Sequence, residues 1–234
     1  MIDTIFPRHF IDIHGGGYDL KFPHHENEIA QSEATHNNKI AKYWIHNGFI
    51  DLDGEKMSKS LGNVVLAKDV IEKVGGEVAR LAILSTHYRM PVNLTDETIK
   101  AATQEINKIK MAYKQAALTL QTNDVDLTKG KAKMDKFLES LADDLNTSNA
   151  LSELYNVIKD MNLLLRSRPL NLEALNDNFK TVTDMLYVLG LNINYIKLSD
   201  EDRKIIDEYN ESKANKDFAR SDELRKILID KWIM

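Results

Sequence analysis

The stretch FIDIHGGGYDLKFPHHENEIAQS, from Phe10 to Ser32, decides how the first part of the chain is read. Phe10 to His14 is a short apolar run beside a glycine cluster and is predicted to be a strand. Gly15, Gly16 and Gly17 predict a turn, where the backbone can take dihedrals or approach a ligand in ways a Cβ would forbid. Pro23 stands where helix N-termini tolerate proline, so a helix is predicted from about His24 to Glu33. Strand, glycine turn and helix in succession suit an α/β unit.

Ala41 to Asn47 is predicted as a second short helix, and Phe49, Ile50 and Leu52 lead into an exposed DGEK turn. A further helix is predicted over about Lys68 to Lys73. From Asp96 the texture changes. Ile99, Ile106, Ile109, Tyr113, Ala116 and Leu120 follow a 3.6-residue period, which predicts a long helix with one apolar face. Further helices are predicted over Lys131 to Ala142, Thr147 to Arg166, Leu172 to Leu189, Asp200 to Lys213 and Phe218 to Asp230. Asn146 and Thr147 are candidate caps, and Pro169 separates two helices. The expected architecture is therefore a partial α/β nucleotide-binding (Rossmann-like) domain over residues 1–94, followed by a mainly α-helical bundle over residues 95–234.

Composition bounds the chemistry. The 234 residues are 43% hydrophobic and 29% charged, with 10 Gly and 4 Pro, which argues against a disordered or low-complexity chain. There is no cysteine, so this chain itself supplies no disulfide, thiolate ligand or cysteine nucleophile. No stretch approaches the ~20 apolar residues that span a bilayer, so a cytoplasmic protein with no membrane partner is expected. Opposing 31 basic to 36 acidic residues leaves a formal charge of -5, and any contact with nucleic acid then needs a local basic cluster. Lys108, Lys110 and Lys114 are one candidate patch, and Arg166 and Arg168 another.

Polar residues are densest around the glycines, where His14, Asp19, His24, His25, Glu26 and Glu28 gather. His24 and Glu28 are four apart on the predicted helix, so both heads can reach one ion from one face. Imidazole and carboxylate suit zinc, but two ligands do not fill its usual four-coordinate shell. Ordinary helix-surface or capping roles are the bland alternative. The glycine run lacks the GxGxxG and P-loop spacings, which leaves a plain structural turn open as well. A second signal, EKMSKSLGN from Glu55 to Asn63, sets Lys56 and Lys59 three apart in a small-residue segment. Such lysines can neutralise charge developing on phosphate oxygens, and a charged surface loop is the alternative.

The two strings together resemble the cysteinyl tRNA synthetase family of class I aminoacyl tRNA synthetases. DDLNTSNALSEL, Asp143 to Leu154, and KDFARSDELRKIL, Lys216 to Leu228, resemble that family's helical region. The match is to the later part of a family member. The resemblance implies an earlier half carrying a HIGH motif and one zinc-ligating cysteine, with a second cysteine just before the glycine strand, and this sequence has neither. Met1 looks like the Met of the family's CSxM string, as in a fragment or a downstream start.

Carried over residue by residue, the resemblance makes His24 and Glu28 zinc ligands. It assigns His14, Gly16, Gly17 and Asp19 to the nucleotide and adenylate side of the pocket. Lys59 becomes the catalytic lysine that grips the ATP phosphates, with Lys56 as a further loop contact. The implied activity is ATP-dependent attachment of cysteine to its tRNA through cysteinyl adenylate. Partners would be cysteine, ATP as substrate, tRNA for cysteine and a missing N-terminal catalytic half acting in trans. The isolated chain is expected to charge no tRNA appreciably and to bind zinc poorly. Two rival readings are a noncatalytic RNA-binding or partner-binding remnant, and a related cysteine ligase with a small amine acceptor.

Overall fold

A computed structural model describes residues 5–6, 10–52, 55–56, 65–231 and 233. β1 (Ile11–Gly17) is followed by a 3-10 turn at Tyr18–Leu20, a π turn at Lys21–His25, α1 (Glu26–His36) and β2 (Ala41–Asn47). β1 and β2 are parallel, with Ile11 opposite Ala41 and Ile13 opposite Tyr43. This corrects two expectations. The glycines lie within the strand, not in a turn, and Gly17 has an extended φ of -67° and ψ of 157°. Ala41–Asn47 is a strand, not a helix. Tyr43, Trp44 and Ile45 favour a pleated backbone, and seven residues without a cap are too few for an independent helix.

Next come β3 (Ile50–Leu52), β4 (Glu55–Lys56), α2 (Ala67–Val74), α3 (Gly76–Leu84) and β5 (Val92–Asn93). β3 pairs with β4 antiparallel and with β5 parallel. VARLAIL, an apolar run in the first part of the sequence, is therefore helical and sends Val78, Leu81 and Ala82 into the core of the bundle. Gly48 joins this segment to β2. Its N–H donates to the Tyr88 carbonyl at 2.7 Å, and a Cβ there would lie 2.3 Å from the Met90 carbonyl oxygen, so only glycine fits.

The remainder is helical: α4 (Asp96–Thr122), a 3-10 turn at Leu127–Lys129, α5 (Asp135–Ala142), α6 (Thr147–Arg166), α7 (Leu172–Leu189), α8 (Asp200–Ala214) and α9 (Phe218–Asp230). The starts are written in the sequence. Thr95, Asn146, Asn171, Ser199 and Asp217 each accept from a backbone N–H in the first turn of the helix that follows. α5 begins four residues later than predicted. Lys131 and Lys133 instead donate their backbone N–H groups to Asp177 and Thr181 of α7.

Ile106, Ile109, Leu120, Phe137, Leu154, Met161, Leu175 and Val182 form the centre of the bundle, and Tyr113 stacks on Phe179 at 4.6 Å. On the other side of α4, Leu118 packs with Leu198, Ile206 and Leu228 to hold the α8–α9 hairpin. Among the described residues no helix is long and apolar enough to cross a membrane.

Two polar ties fix the layout. Asp144, between α5 and α6, accepts from Arg89 Nε at 2.6 Å and from the Tyr88 hydroxyl at 2.7 Å. These bonds join the segment after α3 to the start of α6 and, with Arg89 first, hold the Asp144 carboxyl down at about 2. Near the end of the chain Lys231 Nζ donates to Asp202 at 2.7 Å, and Ser199 donates to the other carboxylate oxygen at 2.7 Å. Lys231, then Ser199, pull the Asp202 carboxyl from 3.8 to about 2.

A carboxyl lowered on folding contributes stability above its unfolded value, and that contribution is lost as pH falls through the folded one. Asp202→Asn is therefore expected to lower stability by roughly 1 kcal/mol at neutral pH, after discounting for the half-exposed lysine. Between about pH 4 and pH 2 its deficit should vanish. Urea titrations at several pH values check this, and a pH-independent deficit would count against the ion pair as its cause.

Candidate functional site

The site grows from the side-chain alternation of the two parallel strands. Residues two apart share a face, so Asp12, His14 and Gly16 of β1 lie on the same side as Lys42, Trp44 and His46 of β2. The crossover through the π turn and α1 covers that side. His25, at the end of the π turn, is 3% exposed and packs edge-on against His14, with ring centroids 4.9 Å apart. It also lies 5.1 Å from the Trp44 ring, and its Nδ1 is 2.9 Å from His46 Nε2. One of those nitrogens carries the proton they share.

Gly16 makes this packing possible. A Cβ there would stand 2.9 Å from His25 Cε1 and 3.0 Å from Leu20 Cδ1. Burial pushes the His25 imidazole below its ordinary 6.5, His14 adds to the depression, and Glu28 opposes it.

Glu28, in the first turn of α1, reaches back to the strand. One carboxylate oxygen is 2.9 Å from His14 Nε2, and the other is 3.3 Å from His24 Nε2. The i,i+4 pairing of His24 and Glu28 expected from spacing is present, with the His24 side chain 60% exposed. The Oε2 atom that faces His14 is buried and has no hydrogen bond of acceptable geometry, despite the short distance. Donor atoms of His14, His25 and Glu28 all lie within 4.8 Å of one another. Described donors here are nitrogen and oxygen, and the chain holds no cysteine that could add sulfur.

Asp19 follows in the 3-10 turn and lines an open hollow of about 550 Å3 with Tyr18, Lys21, Phe22 and Glu26. A second groove, about 540 Å3, lies between α2, α3 and α4 and is lined largely by Val70, Ile71, Ile83, Leu94 and Ile99. Glu77, Arg80 and Asn192 also line it, but no group of three potential metal ligands among the described residues lies there, whereas one does at the histidine cluster.

Of the residues singled out from sequence, His14, Gly16, Gly17, Asp19, His24 and Glu28 therefore lie in one neighbourhood. Lys56 lies in β4, and Lys59 falls outside the described residues. His25, Trp44 and His46 join the cluster in roles that the sequence reading did not give them. Lys108 of the candidate basic patch is paired with Glu105 at 2.6 Å, and Arg168 turns back onto the Leu165 and Ser167 carbonyls.

Comparison with known proteins shows what the chain is similar to. Residues 1–104 match the family described as tRNA synthetases class I (C) catalytic domain, and residues 136–194 match the DALR domain. "Cysteine--tRNA ligase" of Oceanobacillus iheyensis is 42% identical over 238 residues, 96% of this chain and 50% of that protein. The protein of the same name from Staphylococcus aureus strain JH9 is 42% identical over 229 residues, 93% of this chain and 49% of its own length. The chain thus spans about half the length of the curated relatives it matches.

Two solved structures share the fold. The ternary complex of Agrobacterium radiobacter K84 agnB2 LeuRS with tRNA and LeuAMS has a TM-score of 0.58 at 16% identity, over 75% of this chain and 25% of that one. Mycobacterium tuberculosis methionyl-tRNA synthetase with methionyl-adenylate has a TM-score of 0.55 at 19% identity, over 85% and 44%.

Proposed function

We infer, for a chain that belongs to the cysteinyl tRNA synthetase family of class I synthetases, that it provides one half of the machinery for ATP-dependent ligation of cysteine to tRNA. The observation that carries this reading is the gathering of His14, His24 and Glu28 at the end of a parallel strand whose last residues, Gly16 and Gly17, have no side chain. Ligands of α/β folds bind outside the carboxyl ends of parallel strands, where backbone can approach phosphate or ribose closely.

In the proposed reaction a cysteine carboxylate oxygen attacks the α-phosphorus of ATP. The bond to the bridging oxygen breaks, and cysteinyl adenylate and pyrophosphate form. A terminal ribose hydroxyl of the tRNA then attacks the activated carbonyl and AMP leaves. His14, Gly16, Gly17 and Asp19 hold the nucleotide and adenylate, and Lys59 neutralises charge on the phosphates with Lys56 as a loop contact. His24 and Glu28 are the proposed zinc ligands.

They fit zinc by donor type but supply only part of a four-coordinate shell, so further donors are needed, from the neighbouring histidines or from another polypeptide. Bound zinc would supply a thiol-selective anchor that a serine hydroxyl matches poorly. The division at residues 94 and 95 separates the pocket from helices that carry the tRNA, and the whole assembly is assigned to the cytoplasm.

The test combines the pure chain with the separately expressed remainder of the Oceanobacillus iheyensis relative and follows exchange of labelled pyrophosphate into ATP. Exchange that requires cysteine, rejects serine and needs both chains is expected. Absence of cysteine-dependent exchange from a complex that demonstrably forms would overturn the reading. It would leave the noncatalytic remnant in its place.

A further inference from the structure

α2 is amphipathic, and its eight residues are too few to persist as a helix without packing. Yet none of its side chains is fully buried. Gly75, at a φ of 87°, turns α2 directly into α3, so both helices present apolar residues to one space. Val70 and Ile71 of α2, Ile83 of α3, Leu94 and Ile99 around the start of α4, and Ile50 of β3 wall this groove of about 540 Å3. Ile71 is 48% exposed and Ile83 47%. The volume is that of a small-molecule site. Its lining, among the described residues, is aliphatic without an aromatic ring, so a planar base finds nothing to stack on.

Glu77, Arg80 and Asn192 supply the polar part of the lining. Glu77 stands in the first turn of α3, and its Oε2 turns back to within 3.8 Å of where a Cβ on Gly75 would lie. The helix N-terminus offsets its charge there. Arg80 has no such offset. Its guanidinium lies over Gly190, where a Cβ would stand 3.1 Å from Nη1 and 3.3 Å from Cζ. Gly190 closes α7 in the left-handed conformation, with φ 67° and ψ 29°, so its bare Cα serves both the helix end and the approach of Arg80. Among the described residues Arg80 has no ion pair or hydrogen bond, although a guanidinium carries five N–H donors. Aliphatic walls beside an unpaired cation complement an aliphatic anion. Glu77, on the same helix, opposes a second negative charge.

We propose that the groove binds an aliphatic monocarboxylate of about eight to twelve carbons, its chain along Val70, Ile71 and Ile83 and its carboxylate on Arg80. Asn192 offers the carboxylate a further N–H donor. The occupant touches β3, α2, α3 and α4 together, and so ties the segment before the bundle to the first helix of the bundle. This site is independent of the reaction assigned to the histidine cluster, with which it shares no residue.

Binding is measured by titration calorimetry of the full chain with decanoate below its micelle-forming concentration. Saturable binding of one to one stoichiometry is expected. From hexanoate to decanoate each added methylene should tighten it roughly threefold, as apolar burial requires. Decanol, with the same chain and no charge, should bind at least ~10-fold more weakly, and so should decanedioate, whose second carboxylate must enter the apolar walls or meet Glu77. Arg80→Gln should weaken decanoate at least ~10-fold, and Ile83→Gln about fivefold or more. Met111→Gln, at a site 73% exposed on α4, should change it less than about twofold.

Arg80, Ile83 and Met111 are exposed, so the circular dichroism of all three variants should match the parent. Amide exchange at Val70 and Ile99, whose N–H groups donate to the Leu66 and Thr95 carbonyls, gives a readout that needs no substitution. Both should slow with decanoate present. Absence of saturable binding, an affinity indifferent to chain length, or binding that Arg80→Gln leaves unchanged would each overturn the proposal. So would decylammonium binding more tightly than decanoate, which would make Glu77 the partner of the head, or a dimer of this chain that covers Ile71 and Ile83.

Discussion

Replacing Glu28 by alanine is expected to lower cysteine-dependent pyrophosphate exchange by the two combined chains ~100-fold or more. The carboxylate is the only negative group within reach of two imidazoles, His14 at 2.9 Å and His24 at 3.3 Å, among the ion pairs of the described residues. Its two oxygens lie close to both rings, so alanine removes the negative charge beside them and leaves one donor fewer for a cation. Glu28→Gln separates charge from shape. It retains an acceptor oxygen but loses the anionic donor, and it should remain within about tenfold of alanine if charge is what matters.

Folding should be little altered. Glu28 is partly exposed near the start of α1, and such pairs contribute about 1 kcal/mol or less. Zinc content of the purified complex, read beside the exchange rate, tells a ligand from a residue that only orients His14. Exchange within about threefold of the parent would remove Glu28 from the site.

That result depends on a contact that spacing only half revealed. The i,i+4 relation of His24 and Glu28 was legible, because both lie on one turn of one helix. The approach of Glu28 to His14 was not. It requires the glycine run to continue β1, so that His14 faces the helix across a surface with no Cβ at Gly16. Three consecutive glycines favour a turn by local propensity alone, and pairing with β2 overrides that preference.

The same pairing accounts for the missed part of the cluster. With Ala41–Asn47 taken as a helix, Trp44 and His46 fall on different sides; in a strand they share one, stacked with ring planes 7° apart. The two-residue alternation of Lys42, Trp44 and His46 against Tyr43 and Ile45 was the available signal. Long helices were easier to read. α6, α7 and α9 begin and end at the predicted residues, because a cap and a repeating apolar stripe are both local. α5 was misjudged at its start, since what holds residues 131–133 extended is α7, far along the chain.

The helical region carries the largest stability effect expected. Phe137→Ala should destabilise the chain by about 4 kcal/mol, the range for removing an aromatic side chain from a filled interior. Phe137 is 0% exposed. It is the single fully buried side chain of α5, an eight-residue helix too short to persist without tertiary packing. Losing it creates a void in the centre of the bundle and also removes what fastens α5 to α6.

The loop after α5 carries Asp144, whose bonds to Arg89 and Tyr88 tie the bundle to the segment leading into β5. Loosening α5 should therefore be felt beyond the helix itself. Amide exchange at Arg89 and Val92 is expected to quicken, whereas Leu138→Ala, at the exposed neighbouring position on the same helix, should cost about 0.5 kcal/mol and leave those amides unchanged. Chemical unfolding gives the first quantity and exchange the second. A Phe137→Ala loss below about 1.5 kcal/mol would mean that α5 does not anchor the bundle.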